Sequence, residues 1–142
     1  MPRPRQAEPL QVIDVPMLEA MSPHVRPGDI LLLNAGWSQL TATELYHRHP
    51  YLSPQAAAWI VERGVKLLGI DFPTPDAPVE VRPADFDWPV HHILLSQGVL
   101  VAENLANLHT FDGCRIEVMF VPLRIQGADG APARVLARPV GQ

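Results

Sequence analysis

The chain has 142 residues, of which 47% are hydrophobic, with a formal charge of −4 and a pI near 5.8. That is enough apolar material for one core, and it lacks the basic surplus that nucleic-acid binding requires. The single Cys114 cannot form an internal disulfide, and no run approaches the roughly 18 apolar residues of a membrane span, so a one-domain cytoplasmic protein is expected, with no nucleic-acid or membrane partner.

Sixteen prolines, scattered singly among apolar runs, imply rigid loops between short elements rather than a disordered tract. Residues 1–9 read as a polar, flexible leader and residues 10–142 as the domain. Leu10 to Val15 is expected as a short strand stopped by Pro16, with one helical turn over Met17 to Met21. The aliphatic run Ile30-Leu31-Leu32-Leu33, bounded by Gly28-Asp29 and Asn34, predicts a strand buried on both faces. It opens into Ala35-Gly36-Trp37-Ser38, a loop on the functional side. Ser53 at the N-cap and Pro54 at the first helical position start a helix that ends at Gly64. Val65 to Ile70 follows as a strand, with Asp71 at its carboxyl end.

Phe72 to Pro89, with prolines at 73, 75, 78, 83 and 89, predicts a loop covering part of the surface. A helix from Pro89 through Gln97 is followed by a strand over Val99 to Ala102, with Glu103 at its end. Asn104 to His109 turns, and two further strands run over Arg115 to Val121 and Ala133 to Arg138. Gly127-Ala128-Asp129-Gly130 lies in a connection too long for a two-residue hairpin. The alternation of helix and strand argues for an α/β fold, a mixed sheet with flanking helices.

The segments around His91 and Glu103 carry the most chemistry. On a helix over residues 90–97, His91 shares a face with Leu94 and Leu95, while His92 shares its face with Ser96, so His91 points inward. Glu103 directly follows four apolar strand residues, where a carboxylate needs a metal, a cation or several hydrogen bonds. The pair suits a divalent cation, although two ligands fall short of the roughly three that catalytic zinc takes from protein. On the residues alone, a hydrogen-bonded core histidine and a turn-capping glutamate are the commoner arrangement. Trp37 is either an apolar wall for an aromatic substrate or a core tryptophan. Asp71 is either a strand-end site residue or a turn cap, and His49, beside His47, belongs to a loop that could edge the pocket. Ser38 and Thr74 have no histidine-and-acid pattern around them, which argues against a serine hydrolase.

Seven segments, taken in order, resemble the cyclase family of metal-dependent hydrolases. They are Arg26-Pro27-Gly28-Asp29-Ile30-Leu31-Leu32, Gly36-Trp37-Ser38, Glu62-Arg63-Gly64-Val65-Lys66 with Gly69-Ile70-Asp71, His91-x-x-Leu94-Leu95, Glu103-Asn104-Leu105, Pro122-Leu123-Arg124-Ile125 and Asp129-Gly130-Ala131-Pro132-Ala133-Arg134. The family includes kynurenine formamidases and isatin hydrolases. The resemblance implies a partial swivelling β/β/α-type domain, a zinc or manganese ion, and hydrolysis of amide or lactam bonds in small molecules. It also implies metal-ligand roles for His91 and Glu103. Their separation, 103 − 91 = 12 positions, is that of the family's downstream ligand pair, which selects His91 over His92. The family's His-x-Gly-Thr-His-x-Asp-x-Pro-x-His stretch, source of the other ligands and of the acid/base histidine, has no counterpart here. His24 stands in a linker-like stretch without the required second histidine or aspartate. The resemblance therefore implies half of a metal site, completed by a complementary chain or within a homo-oligomer, or a non-catalytic binding subunit that has kept the scaffold.

Overall fold

A computed structural model of the protein describes residues 6–140. Among these residues, aliphatic runs between turns form the strands, and stretches headed by a proline in the first turn form the α-helices. Their order is β1 (Val12–Ile13), α1 (Val15–Glu19), β2 (Ile30–Leu33), β3 (Tyr51–Leu52), α2 (Pro54–Glu62), β4 (Leu67–Ile70), α3 (Pro89–Ser96), β5 (Leu100–Ala102), β6 (Ile116–Pro122) and β7 (Ala133–Pro139). Short 3₁₀ turns at Trp37–Leu40, Glu44–Arg48, Val79–Val81 and Leu108–Phe111 fill the connections.

The expected α/β architecture with flanking helices is present, with its parallel and antiparallel pairings kept in separate sheets. A parallel sheet has the order β2-β4-β5, with Leu31 opposite Leu68 and Leu68 opposite Val101. A small parallel pair joins β1 to β3. An antiparallel hairpin joins β6 to β7, with Met119 opposite Leu136.

Because successive side chains alternate across a strand, the two faces of the parallel sheet are built differently. Leu31, Leu33, Leu68 and Ile70 face one core with Ile60 of α2 and Val90 and Leu94 of α3, all buried. On the other face Gly69 is needed for close approach. A Cβ there would lie 2.6 Å from Leu32 Cδ2 and 2.7 Å from Leu105 Cδ1, with Phe120 of the hairpin at 3.8 Å.

The Ser53 hydroxyl accepts the Ala56 N–H at 3.0 Å, as expected of an N-cap. Gly64, at φ +69°, takes the left-handed position beyond the helix end. Other expectations need correction. The strand expected over Leu10 to Val15 shrinks to two residues, because Asp14 caps α1 through its Oδ1, which accepts the Val15 N–H at 2.8 Å. Pro16 then falls in the first helical turn, where a missing N–H costs nothing, so α1 begins before Met17 and ends before Met21. Only one face of β2 is sealed: Leu31 and Leu33 are buried under the helices, while Ile30 and Leu32 alternate to the other, partly open face and are half-buried. The loop from Phe72 does not stay on the surface. Phe72, Pro75 and Asp76 are fully buried, and Pro75 O accepts the Leu52 N–H at 2.9 Å.

Of the expected leader, residues 1–5 lie outside the described residues, and Ala7 donates its N–H to Ala35 O at 2.9 Å. Among the described residues, no helix is long and apolar enough to cross a membrane.

Candidate functional site

Parallel strands end on one side of their sheet, which is where α/β proteins gather site residues. Asp71 follows β4 and Glu103 follows β5. The chain after Glu103 is tied to the exit of β4, with Asn104 N donating to Phe72 O at 3.1 Å and Leu105 N to Ile70 O at 2.9 Å. Asn104 adopts φ +58°, and its Oδ1 accepts the hydroxyl of Tyr46.

Helix α3 delivers His91 to the same place. Trp88 stands at the N-cap with φ +46° and no capping side chain, so the first helical amides need an acceptor from elsewhere. Asp76 supplies it. Its Oδ1 accepts from Val90 N at 2.9 Å, and its Oδ2 accepts from His91 N at 3.0 Å and from His91 Nδ1 at 2.7 Å. The other ring nitrogen, Nε2, lies 3.4 Å from Glu103 Oε1. His91 is therefore flanked by two carboxylates, one fully buried and one about a third exposed.

Hydrogen bonds to Asp76 and to Glu103 raise the His91 pKa to about 9, against the opposing effect of burial. Burial works to raise Asp76, but the His91 ring and the Val90 and His91 amides outweigh it and hold the carboxyl below its ordinary value. Without a metal, the imidazolium form bridging two carboxylates is favoured, so a cation that takes Nε2 must displace a proton there.

His92 projects into solvent, 3.6 Å from Asp87. Choosing His91 over His92 as the inward residue agrees with this geometry. Leu94 lies buried on that face as expected, whereas Leu95 is half-exposed. Beside His91 stands an aromatic wall: the Trp88 ring is edge-on to His91 at 6.1 Å, and the Arg82 guanidinium lies 4.3 Å over Trp88 and 4.6 Å over Phe86.

Three weaker site candidates are buried in the core. Trp37 has no exposed surface and its indole N–H donates to Tyr46 O at 3.0 Å, so it is a core residue and not an exposed wall. Asp71 is equally buried and accepts the amides of Ala35 and Trp37 at 2.8 Å and of Ser38 at 3.3 Å; it caps the loop leaving β2 instead of a turn of its own. Burial raises its pKa against those three amide bonds. His49 is buried, stacked on Phe72 at 6.2 Å, with its Nδ1 2.9 Å from Pro50 O. Burial lowers its pKa, which favours a neutral structural ring.

The residues that sequence reasoning passed over are Asp76, Tyr46, Trp88 and Arg82. A signal for Asp76 was present, because a helix starting Trp88-Pro89 has no local capping side chain and must borrow an acceptor.

The fit to a divalent metal rests on the donors themselves. Two ligands on adjacent corners of a tetrahedral zinc, each about 2.0–2.2 Å from the ion, are roughly 3.3–3.5 Å apart. His91 Nε2 and Glu103 Oε1 match that spacing at 3.4 Å. Among the described residues no cluster of three or more such donors exists, so these residues offer two corners. Separately, a groove of about 430 Å³ runs along β2, lined among others by Ile30, Leu32, Asn34, Phe111, Cys114 and Val118. None of Asp76, His91 and Glu103 borders it.

Comparison with known proteins agrees with this architecture. Residues 2–77 match the family model described as putative cyclase. A kynurenine formamidase of Bacillus mycoides (strain KBAB4) is 33% identical over 138 residues, covering 93% of this chain and 63% of the relative. The chain thus spans less than two thirds of the curated relatives it matches. Isatin hydrolase A from Ralstonia solanacearum superposes with a TM-score of 0.81 at 22% identity, over 92% of this chain and 54% of that one. Isatin hydrolase A from Labrenzia aggregata, bound to benzyl benzoate, gives a TM-score of 0.78 at 22% identity, over 89% and 53%. At that identity the two structures establish a shared fold.

Proposed function

The chain belongs to the cyclase family, and from that premise we propose that it supplies half the active site of a metal-dependent hydrolase acting on amide or lactam bonds of small molecules. A second polypeptide bearing the family's His-x-Gly-Thr-His-x-Asp-x-Pro-x-His stretch supplies the remaining ligands and the acid/base histidine. The observation that carries this reading is the placement of His91 Nε2 and Glu103 Oε1 3.4 Å apart beyond the strand ends, with no metal-holding cluster of three such donors among the described residues. Relatives named for kynurenine formamidase and isatin hydrolase activity support the substrate class. A cytoplasmic location belongs to the same reading.

His91 and Glu103 would hold the ion, zinc or manganese. Bound there, a divalent metal contributes Lewis acidity toward a carbonyl oxygen and toward water. The chain's own contribution is positional: Asp76 steadies the His91 ring, the bonds to Phe72 and Ile70 steady Glu103, and Trp88 with Arg82 and Phe86 walls one side. The half-exposed apolar residues of the hairpin and the free edge of β2 support a second chain.

The test combines this chain with the part of the Bacillus mycoides enzyme outside the matched stretch. Stoichiometric zinc and N-formylkynurenine hydrolysis are expected in the mixture, and both should be lost in His91→Ala and Glu103→Ala. Hydrolysis by this chain alone as a stable monomer would sink the split arrangement. The ligand count of two also favours a second reading, a non-catalytic binding or regulatory subunit. It predicts a folded complex with no bound metal and no effect of either substitution.

A further inference from the structure

Asp76 is fully buried, and its three hydrogen bonds converge on one helical turn: the Val90 amide, the His91 amide and His91 Nδ1. Two of them set the backbone at His91 and the third sets the rotation of its ring. Prolines at 75 and 78 bracket the aspartate and limit the backbone freedom of its loop, while the Leu52 N–H anchors Pro75 O at 2.9 Å. An imidazole that donates Nδ1–H to a carboxylate leaves Nε2 to serve as ligand, and such outer partners orient the ring and strengthen its basicity.

We infer that Asp76 is a positioning residue that keeps the proton on His91 Nδ1 and turns Nε2 toward Glu103, an assignment that rests on reading His91 and Glu103 as paired metal ligands. A purely helix-capping aspartate would need only the two amide bonds. Asp76→Asn separates the roles. An asparagine Oδ1 can still accept a helix amide, but an Nδ2 amide at the other position meets Nδ1 as a donor and favours the opposite tautomer, with the proton on Nε2.

The experiment uses the full chain with ¹⁵N-labelled histidine, read by imidazole nitrogen–proton correlation and titrated with excess ¹¹³Cd²⁺. In the wild type, His91 should show a slowly exchanging Nδ1 proton with and without cadmium, and cadmium coupling at Nε2. In Asp76→Asn that proton signal should vanish and cadmium affinity should fall about 10- to 100-fold, with the helical circular dichroism retained. Cadmium on Nδ1, absence of a slowly exchanging Nδ1 proton in the wild type, or an unchanged signal and affinity in Asp76→Asn would each overturn the assignment. If Asp76→Asn does not fold, the wild-type spectrum decides alone. Cadmium that leaves wild-type His91 and Glu103 unperturbed defeats the metal-ligand reading, while the Nδ1 proton still judges Asp76 by itself.

Discussion

On one face of the β2-β4-β5 sheet, Leu31, Leu33, Leu68 and Ile70 are sealed beneath α2 and α3. On the other, Phe120 of the hairpin reaches Gly69, while the hairpin's outer side carries Met119, Val121 and Leu136, which with Leu123 stand 47% to 61% exposed. A two-stranded hairpin is marginal by itself, so the second face draws its order from the first. The contrast places the chain's stability on the helix side and its exposed apolar surface on the hairpin side. His91 and Glu103 lie beyond the strand ends and inherit their rigidity from the sealed face, through α3 and β5.

The comparison breaks most directly in the core. Leu68→Ala should cost about 2–5 kcal/mol, measured by urea unfolding. A loss no larger than that of a hairpin substitution would show that the helix-side face is not the stability centre. A smaller effect comes from pH. The His91 pKa is raised from an ordinary 6.5 to about 9 by hydrogen bonds to Asp76 and Glu103, partly opposed by burial. Its contribution is complete below about pH 6.5 and is lost as pH climbs through about 9, on the order of 1–3 kcal/mol. Unfolding free energies across that window should fall in the wild type and stay flatter in His91→Gln; equal slopes would contradict the bridged ring. Smallest is the double substitution Met119→Ser with Leu136→Ser. It should shift stability by no more than about 1 kcal/mol by urea unfolding. Destabilisation approaching that of Leu68→Ala would show that this face is buried in solution.

The elements legible in the sequence were those whose signals are local. Ser53-Pro54 announces a cap and a first turn, Leu67 to Ile70 is an uninterrupted buried run, and helical periodicity turns His91 inward and His92 outward. Asp76 was not legible as a partner of His91. The two are fifteen residues apart, and their contact depends on how a proline-rich loop threads back through the core. Asp71 misled for a similar reason: its sequence neighbours suggest a turn, whereas its carboxylate is used across the sheet by Ala35, Trp37 and Ser38. Trp37 carried an aromatic cue with no directional information, and burial by distant segments decided its place.

Asp14 and Ser53 have a bearing on cooperativity. The Ser53 hydroxyl donates to Asp14 Oδ1 at 2.7 Å while accepting the Ala56 amide, and Asp14 Oδ1 also takes the Val15 amide. Two helix starts, 39 positions apart in the chain, thus share one hydrogen-bonded knot, and fraying of the first helix disturbs the cap of the second. The amino-terminal segment then belongs to the same cooperative unit as α2, the helix that covers the sealed face, and their slow amide protons should escape in a common opening event.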